Sequence, residues 1–237
     1  MMEIEITSET TKALALANNL VNGIESLVAD CLCEDAYIIS DISKLTELLG
    51  EELEIGLSRC HYEHDNLFEL NNLLKFNLIR DIRIKAGNAG TSYRKLYELA
   101  AELCIEKVVP YMRSVSVRTA ATRIEYMYLV LKNGVAELLE GEADRVAIPH
   151  VDACLMVHTH KFGCAPSSND LKTASEVFFD GGLGVGIVSP TCYFLLLRFG
   201  PFTEEDYLSL KNLNSSGTSF LLPSRRYVSN NLVVLIG

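Results

Sequence analysis

Two histidines and an aspartate lie close together in residues 157–170, which read VHTHKFGCAPSSND. His158 and His160 are two residues apart, so in an extended strand both imidazoles point to the same face. Asp170 follows directly before an apolar helical run. Two imidazoles and a carboxylate are a sound ligand set for a catalytic zinc ion, with a fourth position left for water. The pattern predicts such a site; the alternative is two ordinary histidines beside an aspartate that only caps a helix.

The hydropathy pattern predicts the elements that must position these residues. They are a strand at 124–131, a buried strand at 154–157, a helix at 171–179, and strands at 185–188 and 192–199. Asn133-Gly134 follows the first run and is a strong hairpin signal. Gly181-Gly182 ends the helix. The second half of the chain therefore mixes strands with helix.

The motif and the order of these elements resemble the JAMM (MPN+) zinc metalloprotease family over residues 113–200. The resemblance rests on His158-x-His160, on Ser167-x-x-Asp170, and on the succession of strand, helix, glycine turn and two strands. It implies that His158, His160 and Asp170 hold Zn²⁺ and that Ser167 helps to stabilise an oxyanion. In such a site zinc lowers the pKa of a bound water to about 7 and polarises the carbonyl under attack.

Two features depart from the family pattern. Six residues, and not seven, separate His160 from Ser167, which implies a shorter loop. Lys161 stands where the family commonly has proline, and a long cation beside the site could alter the substrate choice or the local charge.

The resemblance also implies a glutamate upstream that acts as the general base. Glu125 begins the apolar run at 124–131 and resembles the family's leading glutamate, although it lies only 33 residues before His158. Glu106 lies 52 residues before His158, a more usual spacing, but Pro110 follows it and suits a buried central strand badly. We favour Glu125, and Glu106 stays open.

The expected fold class is α/β (α+β), in two parts. Residues 1–112 are predicted to form a mainly helical domain that could bind a substrate or a partner. Residues 113–237 are predicted to form a JAMM-like mixed β-sheet flanked by helices. Helical spacing over residues 8–28 and about 67–84 supports the first part.

The resemblance implies a zinc-dependent metallopeptidase or isopeptidase. The implied substrates are conjugates of ubiquitin-like modifier or sulfur-carrier proteins. One alternative is a non-catalytic MPN-type scaffold that binds protein partners. Another is an enzyme that hydrolyses a small amide.

Charge and hydropathy limit the partners. The net charge of −10 argues against a general nucleic-acid binder, although residues 71–123 are basic and residues 1–70 acidic. The longest uncharged stretch, residues 181–197, contains four glycines and a proline, so no membrane helix is expected. An oligomer is compatible with this sequence.

The seven cysteines and the acidic N-terminus bear on the compartment. No signal peptide is recognisable, so a cytoplasmic location with mostly free thiols is expected. Residues 60–64 (CHYEH), with Cys31 and Cys33, match no specific zinc spacing, and we expect a helical face with partly buried thiols there. Cys164 lies inside the metal loop and could be a reactive thiol, an extra ligand or a small packed side chain.

Overall fold

The computed structural model describes residues 3–39, 42–61, 68–143, 152–215 and 224–237. Its helices are α1 (Glu9–Asp30), a 3₁₀ helix (Leu45–Leu48), α2 (Phe68–Lys75), α3 (Lys95–Leu103), a π-helical turn (Cys104–Val108), α4 (Val109–Thr122), α5 (Ser168–Phe179) and α6 (Glu204–Ser215). Its strands are β1 (Glu3–Thr7), β2 (Asp35–Ile38), β3 (Glu52–Ser58), β4 (Asp81–Ala86), β5 (Thr91–Ser92), β6 (Ile124–Leu131), β7 (Val135–Ala143), β8 (Ala153–Thr159), β9 (Gly184–Val188), β10 (Tyr193–Arg198), β11 (Ser224–Tyr227) and β12 (Leu232–Ile236). The mixed α/β (α+β) class is confirmed.

The chain divides into two compact units. The first, called here the C-terminal unit, comprises Met1–Ile6, Leu103–Leu131 and Val135–Gly237. The second, the N-terminal unit, comprises Thr7–Glu102 and Lys132–Gly134. The boundary expected after residue 112 falls within α4. The two compact units divide earlier, just before the π-helical turn.

The N-terminal unit contains a four-stranded sheet in the order β4-β3-β2-β5, in addition to its helices. The prediction of a mainly helical region did not include this sheet. The helix expected at 67–84 is α2 followed by strand β4, in which Ile82 and Ile84 alternate with the charged Arg83 and Lys85. This alternation has the period of two that is typical of strands, but it is too short to stand out beside the helical pattern before it.

The C-terminal unit is built on an eight-stranded sheet in the order β1-β7-β6-β8-β9-β10-β12-β11. Strand β8 is antiparallel to β6 and parallel to β9, so it lies inside the sheet. The hairpin predicted at Asn133-Gly134 joins β6 to β7, and Gly134 adopts the left-handed conformation that such a turn requires. The helix and strands predicted after the motif are likewise confirmed as α5, β9 and β10.

Helices α4 and α5 cover opposite faces of this sheet. His158 and Thr159 are consecutive in β8 and therefore point to opposite faces. His158 lies near Asp170 of α5, whereas Thr159 contacts Thr119 of α4. A hydrophobic core of the unit lies on the α5 face, beneath α5 and α6.

Candidate metal centre

His158 stands in an apolar row that crosses four strands. The strand pairing places Met127, His158, Ile187 and Phe194 side by side on β6, β8, β9 and β10. The other three side chains of the row are each no more than 5% exposed. His158 is thus a polar side chain on an otherwise apolar floor, which holds its ring in place by packing.

His160 follows the end of β8, and its backbone is tied to the neighbouring strand. Its N–H donates to the carbonyl of Val188 at 3.0 Å, which continues the pairing of β8 with β9 past the last strand residue. The Nε2 atoms of His158 and His160 are 3.0 Å apart. The two imidazoles therefore converge on one point, as the spacing of two residues predicted.

Asp170 is brought to the histidines by the start of α5. Ser167 is the N-cap residue, and its Oγ accepts from the N–H of Asp170 at 3.2 Å. The Oδ2 atom of Asp170 accepts from the N–H of Ser167 at 2.7 Å, which completes a capping box. The Oδ1 atom lies 3.4 Å from Nε2 of His158. Asp170 therefore caps the helix and also faces the histidines.

The three ligand atoms lie within 4.8 Å of one another, one from each of His158, His160 and Asp170. Burial lowers the pKa of His158 from 6.5 to about 4, although the Asp170 carboxylate acts to raise it. Burial also lowers the pKa of His160, against the same carboxylate. Both imidazoles are therefore neutral at pH 7 and offer lone pairs, the form in which histidine binds a metal.

The donor set fits a divalent metal ion. Two neutral imidazoles and one carboxylate match a catalytic zinc site, which binds the metal through three protein ligands. The same set also suits other transition metals, because imidazole binds copper, iron and nickel as well. In the part of the chain that the structure describes, this is the single group of three or more such side chains.

Glu125 lies in the same cleft as the three residues. It precedes Met127 by two positions in β6 and lines the cavity that His158, His160, Ser167 and Asp170 also line. The pairing of β6 with β7 shifts register between Ile124 and Tyr126, at the position of Glu125. Such irregularities often re-aim a side chain beside an active site.

Glu106, the alternative general base, lies elsewhere. It is exposed on the π-helical turn and is not among the residues that line the cavity. The geometry therefore favours Glu125 as the acid–base residue, and the assignment stays a prediction. The short loop after His160 is compatible with the site, because Ser167 and Asp170 still reach it.

The cleft contains a cavity of about 320 Å³ with an apolar floor. Its apolar lining consists of Met127, Met156, Pro166, Leu171, Val185, Ile187 and Phe194. Sequence reasoning did not single out these residues, since most of them read as ordinary core positions of a helix and four strands. The sequence carries no signal for Ile187 and Phe194, because their place beside His158 depends on the strand pairing.

A disulfide anchors the loop between His160 and Ser167. Cys164 is bonded to Cys192, which precedes β10. Cys164 is 6% exposed, so it is neither a free nucleophile nor a metal ligand in this state. On the exposed side of the loop, the Lys161 ammonium lies 4.6 Å from the centroid of the Phe162 ring, a cation–π distance.

A second disulfide joins Cys33 to Cys60 in the N-terminal unit. The expectation of mostly free thiols is therefore wrong for the described residues, where Cys31, Cys104 and Cys154 are buried and form no disulfide. Residues 62–64 of the second candidate metal group lie outside the described residues. Disulfides are more typical of oxidising compartments than of the cytoplasm. The cytoplasmic location stays a prediction.

No family model, no curated protein sequence and no solved structure matches this chain. None of the helices in the described ranges is both long enough and apolar enough to cross a membrane.

Proposed function

We propose that this protein is a metal-dependent hydrolase of amide bonds, with zinc as the metal and a peptide or isopeptide as the substrate. The observation that carries the proposal is the convergence of His158, His160 and Asp170 within 4.8 Å, in a cleft that Glu125 and Ser167 also line. The resemblance to JAMM zinc metalloproteases supports the choice of reaction.

The five residues have distinct roles in this proposal. His158, His160 and Asp170 would hold the metal, and a bound zinc ion would supply Lewis-acid polarisation of the substrate carbonyl and an acidified water. Glu125 takes a proton from the attacking water and passes it to the leaving amine. Ser167 accepts the N–H of Asp170 through Oγ, so its own hydroxyl proton remains available to donate to the developing oxyanion.

The substrate class rests on the resemblance alone. It implies conjugates of ubiquitin-like modifier or sulfur-carrier proteins, whose extended tails could pair with a strand edge. A small non-protein amide is the other substrate class. The two are distinguished by whether hydrolysis needs a folded modifier domain or only its short C-terminal peptide.

The first experiment measures zinc per chain in freshly purified protein, beside His158→Ala. We expect about one zinc per wild-type chain, the count that a single catalytic site requires, and none in the variant. A panel of ubiquitin-like fusions, isopeptides and short peptide amides is then assayed with zinc-loaded protein. Hydrolysis that a chelator abolishes and zinc restores would support the proposal.

Two other outcomes would contradict parts of this proposal. Stoichiometric zinc without hydrolysis of any substrate would favour the non-catalytic MPN-type scaffold. In that case Asp170→Ala would leave the binding of a protein partner intact. Absence of zinc after reconstitution would contradict the metal site itself.

A further inference from the structure

Thr159 lies between the two histidines and points away from them. It is the last residue of β8, its side chain is on the α4 face of the sheet, and it is fully buried. A buried hydroxyl needs hydrogen-bond partners, because leaving it unpaired costs free energy. The partners of Thr159 are therefore informative about what this position does.

The Thr159 hydroxyl joins three elements. Its Oγ1 accepts from the backbone N–H of Tyr126 in β6 at 2.9 Å. It also lies 2.6 Å from Oγ1 of Thr119 in α4, which is fully buried as well. One side chain thus links β8 to β6 and to the helix behind both strands.

The Thr159 hydroxyl accepts a hydrogen bond from β6 at the position where the backbone pairing of β6 with β8 ends. The pairing of β6 with β8 shifts register between Val130 and Leu131 and is then regular as far as Met127 opposite His158. Beyond that pair, the N–H of Tyr126 donates to the Thr159 side chain. On the other side of β6, the pairing with β7 is irregular between Ile124 and Tyr126. This end of β6 therefore depends on Thr159 more than a regular central strand would.

The end of β6 carries the proposed general base, since Glu125 directly precedes Tyr126. The proposed metal ligands come from β8, the residue after it and α5, whereas Glu125 comes from β6. We propose that Thr159, held in place by Thr119, is a positioning residue that fixes Glu125 relative to the three metal ligands. This inference rests on the proposed function, because it assigns a purpose to the alignment of Glu125.

The test compares Thr159→Val with Thr159→Ser. Valine has the shape of threonine without the hydroxyl, whereas serine keeps the hydroxyl. We expect Thr159→Val to lower kcat by roughly 10- to 100-fold, since a displacement of about 1 Å in an active site costs on that order. We expect its zinc dissociation constant to stay within about threefold of wild type, because all three ligands are kept. Thr159→Ser restores kcat.

Two further variants separate positioning from general stability. Thr119→Val removes one partner of Thr159 but leaves the bond from Tyr126, so we expect a smaller loss of kcat. Ser116→Ala is the matched control, because Ser116 is a fully buried hydroxyl in α4 that donates to the backbone carbonyl of Arg113. It should leave both kcat and zinc affinity unchanged.

A readout without catalysis keeps the inference separate from the proposed function. Hydrogen exchange of the Tyr126 amide in the zinc-loaded protein should be faster in Thr159→Val and restored in Thr159→Ser. If the wild-type protein hydrolyses nothing but the exchange follows this pattern, the proposed function fails while the link from Thr159 to β6 stands. Unchanged kcat and unchanged exchange in folded Thr159→Val would overturn the inference, as would an equal loss in Thr159→Ser.

Discussion

The two oxygens of the Asp170 carboxylate have different partners. Oδ2 accepts from the backbone N–H of Ser167 at 2.7 Å, and Oδ1 lies 3.4 Å from Nε2 of His158. The helix cap and the proposed metal ligand are therefore the same side chain. The start of α5 fixes the direction of the ligand, so folding of this helix also prepares the site.

The variant Asp170→Asn separates helix capping from metal binding. Asparagine can still accept the N–H of Ser167, but it lacks the negative charge that favours a metal ion. We expect zinc affinity to fall by more than about 100-fold, because loss of residues that only support ligands already costs about 10- to 100-fold. The midpoint of thermal unfolding of the metal-free protein should change little. Asp180→Asn, at the other end of α5, is the control, and an unchanged zinc affinity in Asp170→Asn would contradict its role as a ligand.

Glu125→Gln and Glu106→Gln decide between the two candidate bases. Glutamine keeps the size of the side chain but cannot take a proton. We expect Glu125→Gln to lower kcat by about 10²- to 10⁴-fold, the usual contribution of a general acid–base residue, with zinc content unchanged. Glu106→Gln should leave kcat unchanged, because Glu106 is exposed away from the cavity lining. The reverse result would move the assignment to Glu106.

Ser167→Ala should have two effects of separate origin. Loss of the N-cap should lower the free energy of unfolding by about 1 kcal/mol, measured by urea denaturation. Loss of the hydroxyl donor should lower kcat by about 10²- to 10³-fold, as for other oxyanion donors. Ser167→Thr keeps both the cap and the donor and serves as the control. A loss of stability without a loss of kcat would leave Ser167 as a helix cap only.

The metal-free protein should lose stability as the pH falls below neutrality. The folded-state pKa of His158, about 4, lies below its ordinary value of 6.5 because the ring is buried. Between these two values the unfolded chain binds more protons, so the stability present above pH 6.5 is lost progressively as the pH falls towards 4.

Urea unfolding at several pH values in the presence of a chelator measures this loss. His158→Gln should flatten the pH dependence, because it removes the imidazole whose pKa burial lowers. A pH dependence that is the same in His158→Gln and wild type would show that His158 is not its source.

Removal of the Cys164–Cys192 disulfide should weaken both the fold and the metal site. The bond closes a separation of 28 residues, for which chain-entropy arguments give about 2–4 kcal/mol of stabilisation. Cys164 lies in the loop between His160 and Ser167, so we expect the paired serine variant also to bind zinc more weakly. The corresponding variant of Cys33 and Cys60, with a separation of 27, should lose stability alone. Equal zinc affinity in both variants would show that the metal site does not depend on the Cys164–Cys192 disulfide.

The local parts of the site could be predicted from the sequence. His158 and His160 share a face because of the period of a strand, and Ser167 and Asp170 meet because they are three residues apart in the first turn of a helix. The parts set by distant pairing could not be predicted. Ile187 and Phe194 reach the cleft only through the register of β9 and β10, and the pairing of Cys164 with Cys192 needs the folded loop. Strands β2 and β4 of the N-terminal unit were missed because they are short and follow helical patterns.

Strand β1 has a consequence for how the chain is made. It spans Glu3–Thr7 and is hydrogen-bonded to β7, which spans Val135–Ala143, so the sheet that carries the site joins the first residues to residues more than a hundred positions later. During synthesis β1 can pair only after β7 has also emerged from the ribosome. Such non-local pairing slows folding. A fragment that begins at residue 103 would leave β7 as an unpaired edge, and unpaired edges promote aggregation.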